Sequence, residues 1–220
     1  MKLKAVIFDF DGVLVDSLAL HLRAWDLASQ KLYGKKIENP ERLAGRSTDA
    51  IAGILAQEHE QPASARDLAE VKREELRRTE SPAPVFPGVF ETFLFLREKK
   101  IPFGIASNAP RKFILDTLND LNLTVDVVIG IEDAGRPKPF PDPFLLCAKR
   151  LGIHHENHKE TAVFEDSRHG LGAAIKAGMI AIGVTTQHPA HEMIESGAIL
   201  TCTHLQDALD RGFFDDLPLP

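Results

Sequence analysis

The segment Ala5-Val6-Ile7-Phe8-Asp9-Phe10-Asp11-Gly12 places two carboxylates and a glycine directly after a short apolar run. A continuous apolar run that ends in polar residues is typical of a buried strand in a parallel sheet. The glycine after the second carboxylate lets the chain turn there. The segment therefore predicts a buried strand that carries Asp9 and Asp11 at its carboxyl end.

Similar apolar runs recur along the chain, at residues 101–106, 127–129, 161–164 and 180–184. The segments between them show apolar residues at helical spacing, as in Val89 to Leu96, Phe113 to Leu121 and Phe144 to Leu151. Regular alternation of strands and helices predicts an α/β fold with a Rossmann-like, doubly wound parallel sheet.

Residues 16–83 break this alternation, because they contain helical patterns but no convincing apolar strand. They end near the extended, proline-rich stretch Ser81-Pro82-Ala83-Pro84, which is typical of a domain boundary. The sequence thus predicts a catalytic core of residues 1–15 and 84–220 and a helical domain of residues 16–83 inserted after the first strand. The charged run from Lys72 to Arg78 is interpreted as a solvated helix face.

The composition, with 44% hydrophobic residues in 220, is that of a globular chain. The 32 acidic and 26 basic residues give a net charge of -6, which offers no basic surface for nucleic acid. No segment reaches the roughly 18 apolar residues of a membrane span, and Met1 to Lys4 does not resemble a secretory leader. We expect a cytoplasmic monomer without nucleic-acid or membrane partners, in which Cys147 and Cys202 are buried free thiols.

Polar side chains follow several predicted strands. Ser107-Asn108 follows the second strand, Glu165-Asp166 the fourth, and Lys138 lies in a loop beyond the third. Because the carboxyl ends of parallel strands meet at one edge, these residues should approach Asp9 and Asp11. Each motif alone has a simpler reading as a turn, a helix N-cap or a solvated lysine. Their joint placement at successive strand ends favours one functional site.

Four carboxylates at one edge would repel one another and raise each other's pKa values unless a cation lay among them. Oxygen ligands of this kind suit Mg²⁺. The sequence therefore predicts a magnesium ion held by Asp9 and Asp166 with help from Glu165.

The same residues predict phosphoryl transfer from a small phosphorylated metabolite. Asp9 would be the nucleophile, and Asp11 would protonate the leaving oxygen and then activate water. Ser107, Lys138 and the backbone amide of Asn108 would donate hydrogen bonds to the phosphate oxygens.

Four motifs in this order resemble those of the haloacid dehalogenase-like hydrolase superfamily, in the subgroup whose helical cap follows the first strand. The likeness covers nearly the whole chain, at Asp9 to Ser17, Ser107-Asn108, Lys138 to Asp142, and Glu165-Asp166-Ser167. The subgroup includes β-phosphoglucomutases and sugar phosphatases, so the resemblance implies the same fold and a phosphatase or mutase activity.

The resemblance also implies roles for individual residues. Asp9 corresponds to the nucleophile, and Asp11 to the acid/base that gives the metal a backbone carbonyl. Asp166, with Glu165, completes the implied Mg²⁺ site. The true dehalogenases lack an acid at the position of Asp11, so the likeness disfavours dehalogenation.

Two segments of the helical domain are similar to substrate-binding segments of the family. His21-Leu22-Arg23-Ala24-Trp25 resembles the first cap helix, which implies substrate contacts for His21 and Trp25, although Trp25 also fits packing in the cap core. Gly45-Arg46-Ser47-Thr48 resembles the specificity loop, which implies substrate contacts for Gly45, Arg46 and Ser47.

The mutases carry a lysine on a later cap helix, where this chain has Glu74 beside Lys72 and Arg73. A mutase must grip the second phosphate of a bisphosphate intermediate with well-placed cations. The absence of a cation at the aligned position favours simple hydrolysis of sugar phosphates. The open alternatives are a β-phosphoglucomutase, a phosphonate hydrolase and a non-catalytic phosphate-binding module on the same fold.

Overall fold

The computed structural model describes residues 1–43, 48–61, 64–78 and 83–217. Its contacts divide the chain into two compact units, one of Met1–Asp16 with Pro84–Pro220 and one of Ser17–Ala83. Asp16 belongs to the first unit, where its backbone N–H donates to the carbonyl of Pro84 at 2.7 Å.

The first unit is built on a six-stranded parallel sheet in the order β3-β2-β1-β4-β5-β6. The strands are Ala5–Phe8 (β1), Phe103–Ala106 (β2), Val127–Ile129 (β3), Thr161–Glu165 (β4), Ile180–Val184 (β5) and Leu200–Cys202 (β6). The predicted α/β class and parallel sheet are confirmed. The strand order reverses beside β1, and such reversal points are where open α/β sheets bind ligands.

In the described part of the chain the helices are Leu18–Tyr33 (α1), Thr48–Glu58 (α2), Ala65–Arg77 (α3), Val89–Glu98 (α4), Arg111–Asp120 (α5), Asp142–Arg150 (α6), Arg168–Lys176 (α7), Ala190–Glu195 (α8) and Leu205–Asp210 (α9). Short 3₁₀ helices occupy Pro40–Leu43 and His155–Glu160. None of these helices has the length and apolar character needed to span a membrane.

Both faces of the sheet are buried, which explains the continuous apolar runs in the sequence. On one face Phe8 packs among aromatic rings whose centroids lie 5.5 to 6.4 Å from its own, those of Phe93, Phe103 and Phe164. Ile7 joins a separate cluster with Phe144, Cys147, Val163 and Leu171. Cys147 and Cys202 are buried free thiols, as expected.

The sixth strand was not predicted from the sequence. β6 is only three residues long, and Leu200 and Thr201 are half-buried. It pairs with β5 alone, at the edge of the sheet. An edge strand with one fully buried residue leaves no apolar run in the sequence to detect.

The second unit has its own apolar core, and α3 packs against both α1 and α2. The core includes Trp25, Ala28, Leu43, Ile51, Leu55 and Leu68. Trp25 is 1% exposed. Packing in the core, the simpler reading of this residue, is what the structure shows.

The prediction that Lys72 to Arg78 forms a solvated helix face is wrong for two of its residues. Lys72 is 3% and Glu75 8% exposed. Both continue the inward-facing positions of α3, because they follow the buried Leu68 by four and seven residues. Glu75 accepts a hydrogen bond from Lys31 Nζ at 2.5 Å. A helical spacing count from Leu68 would have found both.

Candidate active site

The carboxyl ends of three adjacent strands bring polar side chains together. Asp9 follows β1, Ser107 follows β2, and Glu165 is the last residue of β4, with Asp166 directly after it. The backbone N–H of Asp9 donates to the carbonyl of Phe164 at 2.9 Å. The sheet pairing therefore continues into the site and fixes the backbone from which these side chains extend.

Lys138 is a buried member of this site, although a loop lysine is usually solvated. Its ammonium donates to Asp9 Oδ1 at 2.7 Å and to Glu165 Oε1 at 2.5 Å. The same nitrogen lies 4.6 Å from the centroid of the Phe144 ring. Burial lowers the pKa of Lys138, but the charges of Asp9 and Glu165 outweigh burial and raise it above the ordinary value.

Asn108 hydrogen-bonds to the backbone of Lys138 through its side chain. Its side-chain oxygen accepts from the Lys138 N–H at 3.0 Å, and its side-chain nitrogen donates to the Lys138 carbonyl at 3.3 Å. The side chain thus orients the lysine loop. The contact with substrate predicted for the Asn108 backbone amide stays a prediction.

Asp9, Glu165 and Asp166 form a buried acidic cluster, and each has a carboxylate oxygen within 4.8 Å of the others. Burial, followed by the charges of Glu165 and Asp9, raises the pKa of Asp166 well above its ordinary value. Burial also raises the pKa of Glu165, although Lys138 opposes this. Hard oxygen donors that repel one another in a buried cluster fit a bound Mg²⁺, which would relieve the repulsion.

Two glycines leave space for the carboxylates of Asp166 and Glu165. Gly12 has φ +81°, and a Cβ there would lie 1.7 Å from Asp166 Oδ2. A Cβ on Gly170, in the first turn of α7, would lie 1.8 Å from the Glu165 carboxylate. Ser167 caps α7 by accepting from the Gly170 N–H, and its hydroxyl also donates to Glu165 Oε2 at 2.8 Å. The N-cap reading is therefore confirmed for Ser167, and the functional role of Glu165 and Asp166 stays a prediction.

Asp11 lies at the start of a turn that leads away from β1. The turn is closed by a hydrogen bond of 2.9 Å from the Gly12 N–H to the Val15 carbonyl. Asp11 is more exposed than Asp9. Its role as acid and base stays a prediction.

Sequence reasoning missed two residues of the loop after β5. Thr186 Oγ1 donates to the carbonyl of Gly12 at 2.6 Å, and Gln187 Nε2 donates to Asp166 Oδ2 at 2.8 Å. Both lie at the carboxyl end of β5, and the other site residues were located because they lie at such strand ends. The same reasoning, applied to β5, would have found both.

The site residues predicted in the helical unit have different outcomes. Trp25 is a core residue, with almost no surface for the predicted substrate contact. Its ring lies 5.5 Å from Lys72 Nζ, which is 3.0 Å from His21 Nδ1. Burial and then the charge of Lys72 lower the pKa of His21 to about 3, so this imidazole is neutral at neutral pH. Gly45, Arg46 and Ser47 lie outside the described residues.

A family model and several curated proteins match this chain. Residues 3–178 match the family model of the haloacid dehalogenase-like hydrolases. The chain is 31% identical over 204 residues to the phosphorylated carbohydrates phosphatase of Thermotoga maritima, covering 90% of this chain and 93% of that protein. It is also 31% identical over 221 residues to the phosphoglycolate phosphatase of Shigella dysenteriae, covering 88% and 85%.

Among solved structures, beta-phosphoglucomutase from Clostridium difficile aligns with a TM-score of 0.71 and 24% identity, covering 92% of each chain. At this identity the likeness shows the fold alone. The family match over most of the chain carries the assignment, and the strand-end site agrees with it. This chain belongs to the haloacid dehalogenase-like hydrolase family.

Proposed function

We propose that this protein is a Mg²⁺-dependent phosphatase that hydrolyses phosphomonoesters of small metabolites, sugar phosphates above all, through an aspartyl-phosphate on Asp9. The observation that carries the proposal is the buried arrangement of Asp9, Lys138, Glu165 and Asp166 at the strand ends. The names of the two phosphatase relatives support a phosphorylated carbohydrate or a small phosphorylated acid as the substrate class.

Asp9 is suited to act as the nucleophile because its carboxylate is held in a fixed orientation. The buried ammonium group of Lys138 donates a hydrogen bond to Asp9 Oδ1, and the backbone N–H of Asp9 donates to the Phe164 carbonyl in β4. In the proposed first step an Asp9 oxygen forms a bond to phosphorus while the bond from phosphorus to the leaving oxygen breaks. Asp11 gives its proton to that leaving oxygen.

The second step regenerates the enzyme. Asp11, now a carboxylate, takes a proton from a water molecule, and the water oxygen bonds to phosphorus. The bond between phosphorus and Asp9 then breaks, which releases inorganic phosphate and restores the Asp9 carboxylate. During both steps Ser107 and Lys138 donate hydrogen bonds to the phosphate oxygens and hold them in place.

The proposed metal ligands are carboxylate oxygens of Asp9 and Asp166, the backbone carbonyl of Asp11, and Glu165. When bound, Mg²⁺ supplies positive charge that offsets the charge of the phosphate. Glu165 also has a second task, because Lys138 and Ser167 both donate to its carboxylate. It therefore positions Lys138.

A β-phosphoglucomutase is the second candidate, and Lys72 is the observation that favours it. The sequence favoured hydrolysis because no well-placed cation was evident in the helical domain. Lys72 is a buried cation of the helical unit that lies against His21, and in the mutase candidate it would contact the second phosphate. Glu74, by contrast, is paired with Arg78 at 2.5 Å. Conversion of glucose 1-phosphate to glucose 6-phosphate, rather than to glucose and phosphate, would establish the mutase.

The proposal is tested by release of inorganic phosphate from a panel of sugar phosphates, phosphoglycolate and other metabolite phosphates. We expect release with Mg²⁺, and none with EDTA or with Asp9→Asn. Asp116→Asn is the matched control, because it alters an exposed carboxylate on α5 that pairs with Lys112. Failure to release phosphate from any compound, or release by Asp9→Asn at the wild-type rate, would overturn the proposal.

A further inference from the structure

The loop after β5 contacts the site from a strand that is not adjacent to β1. In the sheet order β4 lies between β1 and β5. Two consecutive residues of this loop nevertheless hydrogen-bond to the turn that follows β1 and to the acidic residue that follows β4. Thr186 donates to the Gly12 carbonyl, and Gln187 donates to Asp166 Oδ2.

The hydrogen bond between Gln187 and Asp166 has a defined polarity. A carboxylate only accepts hydrogen bonds, so the amide must present its nitrogen to it, as it does here at 2.8 Å. Asp166 is 2% exposed, whereas Gln187 is an exposed residue. Gln187 therefore lies on the solvent side of the Asp166 carboxylate.

Neighbouring structure limits the positions that Gln187 can adopt. Before it, Thr185 donates its backbone N–H to the Cys202 carbonyl at 2.9 Å, which ties the loop to β6. After it, His188 Nδ1 lies 3.3 Å from a carboxylate oxygen of Glu192 on α8. A Cβ on Gly12 would come within 3.2 Å of Gln187 Nε2, so the glycine leaves room for the amide as well as for Asp166.

We infer that Gln187 is a positioning residue of the metal site, which fixes the Asp166 carboxylate in the orientation needed to bind a divalent cation. The inference rests on the proposed function, because it takes Asp166 to be a Mg²⁺ ligand. Groups that hydrogen-bond to metal ligands orient them, and their loss lowers metal affinity by about 10- to 100-fold. Thr186 has a similar role, because its hydroxyl donates to the Gly12 carbonyl in the turn that follows Asp11.

The test is the affinity of the metal-free protein for Mg²⁺, measured by titration calorimetry without substrate. Gln187→Met keeps the length of the side chain and removes the donor. Gln206→Met is the matched control, because Gln206 Nε2 also donates to a carboxylate, Asp210 Oδ1 at 2.9 Å, in an exposed pair on α9. We expect a Kd for Mg²⁺ about tenfold higher in Gln187→Met and unchanged in Gln206→Met.

The melting temperature of each metal-free variant separates positioning from folding. The inference predicts that Gln187→Met melts close to Gln206→Met while its Mg²⁺ affinity is reduced. An unchanged Mg²⁺ affinity in Gln187→Met would overturn the inference and leave the proposed function standing. Failure of the wild-type protein to bind Mg²⁺ would overturn the proposed metal site and this inference with it.

Discussion

The ammonium group of Lys138 lies between two carboxylates in a region from which water is largely excluded. Only 4% of its side chain is exposed, and it contacts both Asp9 and Glu165. A buried charge needs a partner, and here a single cation serves two anions. Removal of Lys138 would leave both carboxylates buried without this cation, so the residue matters for stability as well as for the proposed chemistry.

We predict that Lys138→Met lowers the free energy of unfolding of the metal-free protein by about 3–5 kcal/mol, as expected when one partner of a buried ion pair is removed. The measurement is urea unfolding followed by circular dichroism. Lys112→Met is the control, since Lys112 pairs with Asp116 at 2.7 Å on the surface of α5. It should change stability little, because exposed pairs contribute little. Equal effects of the two substitutions would contradict the account.

His21 gives the helical unit a predictable dependence on pH. Burial lowers its pKa to about 3 in the folded protein, from 6.5. As the pH falls below about 6.5, the unfolded chain binds a proton that the folded chain does not, so stability is lost between about pH 6.5 and 3. The slope from this residue approaches about 1.4 kcal/mol per pH unit.

We therefore expect His21→Gln to lose stability less steeply than the wild type between pH 6.5 and 4.5. Chemical unfolding at several pH values would measure the two slopes. His191→Gln, which changes an exposed histidine on α8, should keep the wild-type slope. Parallel curves for wild type and His21→Gln would show that burial does not suppress protonation of this residue.

At the scale of single elements, the first turn of α7 links the fold to the site. Ser167 caps the helix and also binds Glu165, while Gly170 leaves space for the Glu165 carboxylate. Two residues later, Gly172 has no atom within 4 Å of the position a Cβ would occupy. The same substitution on one helix should thus have opposite consequences at the two positions.

We predict that Gly172→Ala stabilises the protein by about 0.5–1 kcal/mol, because alanine loses less backbone entropy in a helix than glycine. Gly170→Ala should displace Glu165 and with it Lys138, and lower phosphatase activity by about 100-fold, the effect of a shift of about 1 Å at a catalytic group. Thermal unfolding and phosphate release measure the two effects. Comparable activity in both variants would argue against a precise position for Glu165.

The strands that the sequence predicted are those that form continuous apolar runs. β1, β2, β4 and β5 are fully buried and appear as continuous apolar runs. β6 was missed because Thr201 interrupts its apolar pattern and two of its three residues are half-buried, whereas the other edge strand, β3, is an unbroken apolar run. Lys72 was misread because residue charge suggested exposure, whereas its helical spacing from Leu68 indicates burial.

The site residues could be predicted for a similar reason. The sequence predicts the position of Asp9, Ser107 and Asp166 at the sheet edge, because each lies at the end of an apolar run. The contacts of Lys138 depend on the path of a loop, and those of Gly170 on the approach of α7 to β4. Neither can be obtained from spacing alone, because both depend on how separate segments pack in three dimensions.

At the scale of the whole molecule, a metal ion bound at the acidic cluster would make stability depend on the metal concentration. A ligand that binds only the folded state adds about 2.7 kcal/mol at a concentration of 100 times its Kd. We predict that Mg²⁺ raises the melting temperature of the wild type in a concentration-dependent way. Asp166→Asn should melt higher than the metal-free wild type, because it removes a charge whose burial is unfavourable, as the raised pKa of Asp166 indicates.

Mg²⁺ should then leave the melting temperature of Asp166→Asn unchanged, because the substitution removes a proposed metal ligand. Differential scanning calorimetry over a series of Mg²⁺ concentrations measures both effects. Asp116→Asn serves as the surface control and should respond as the wild type does. A Mg²⁺ response that survives in Asp166→Asn would place the metal elsewhere in the molecule.

Asp9 is proposed to carry the phosphoryl group during turnover, and rapid acid quenching followed by peptide mass spectrometry would detect this phosphorylated residue. The experiment uses the best substrate from the phosphate-release panel, with Mg²⁺, and stops the reaction within the first turnover. We expect phosphate on the peptide that contains Asp9, and none on that peptide from Asp9→Asn. Phosphate recovered on another residue, or substrate consumed in the first turnover with no phosphate on the protein, would contradict it.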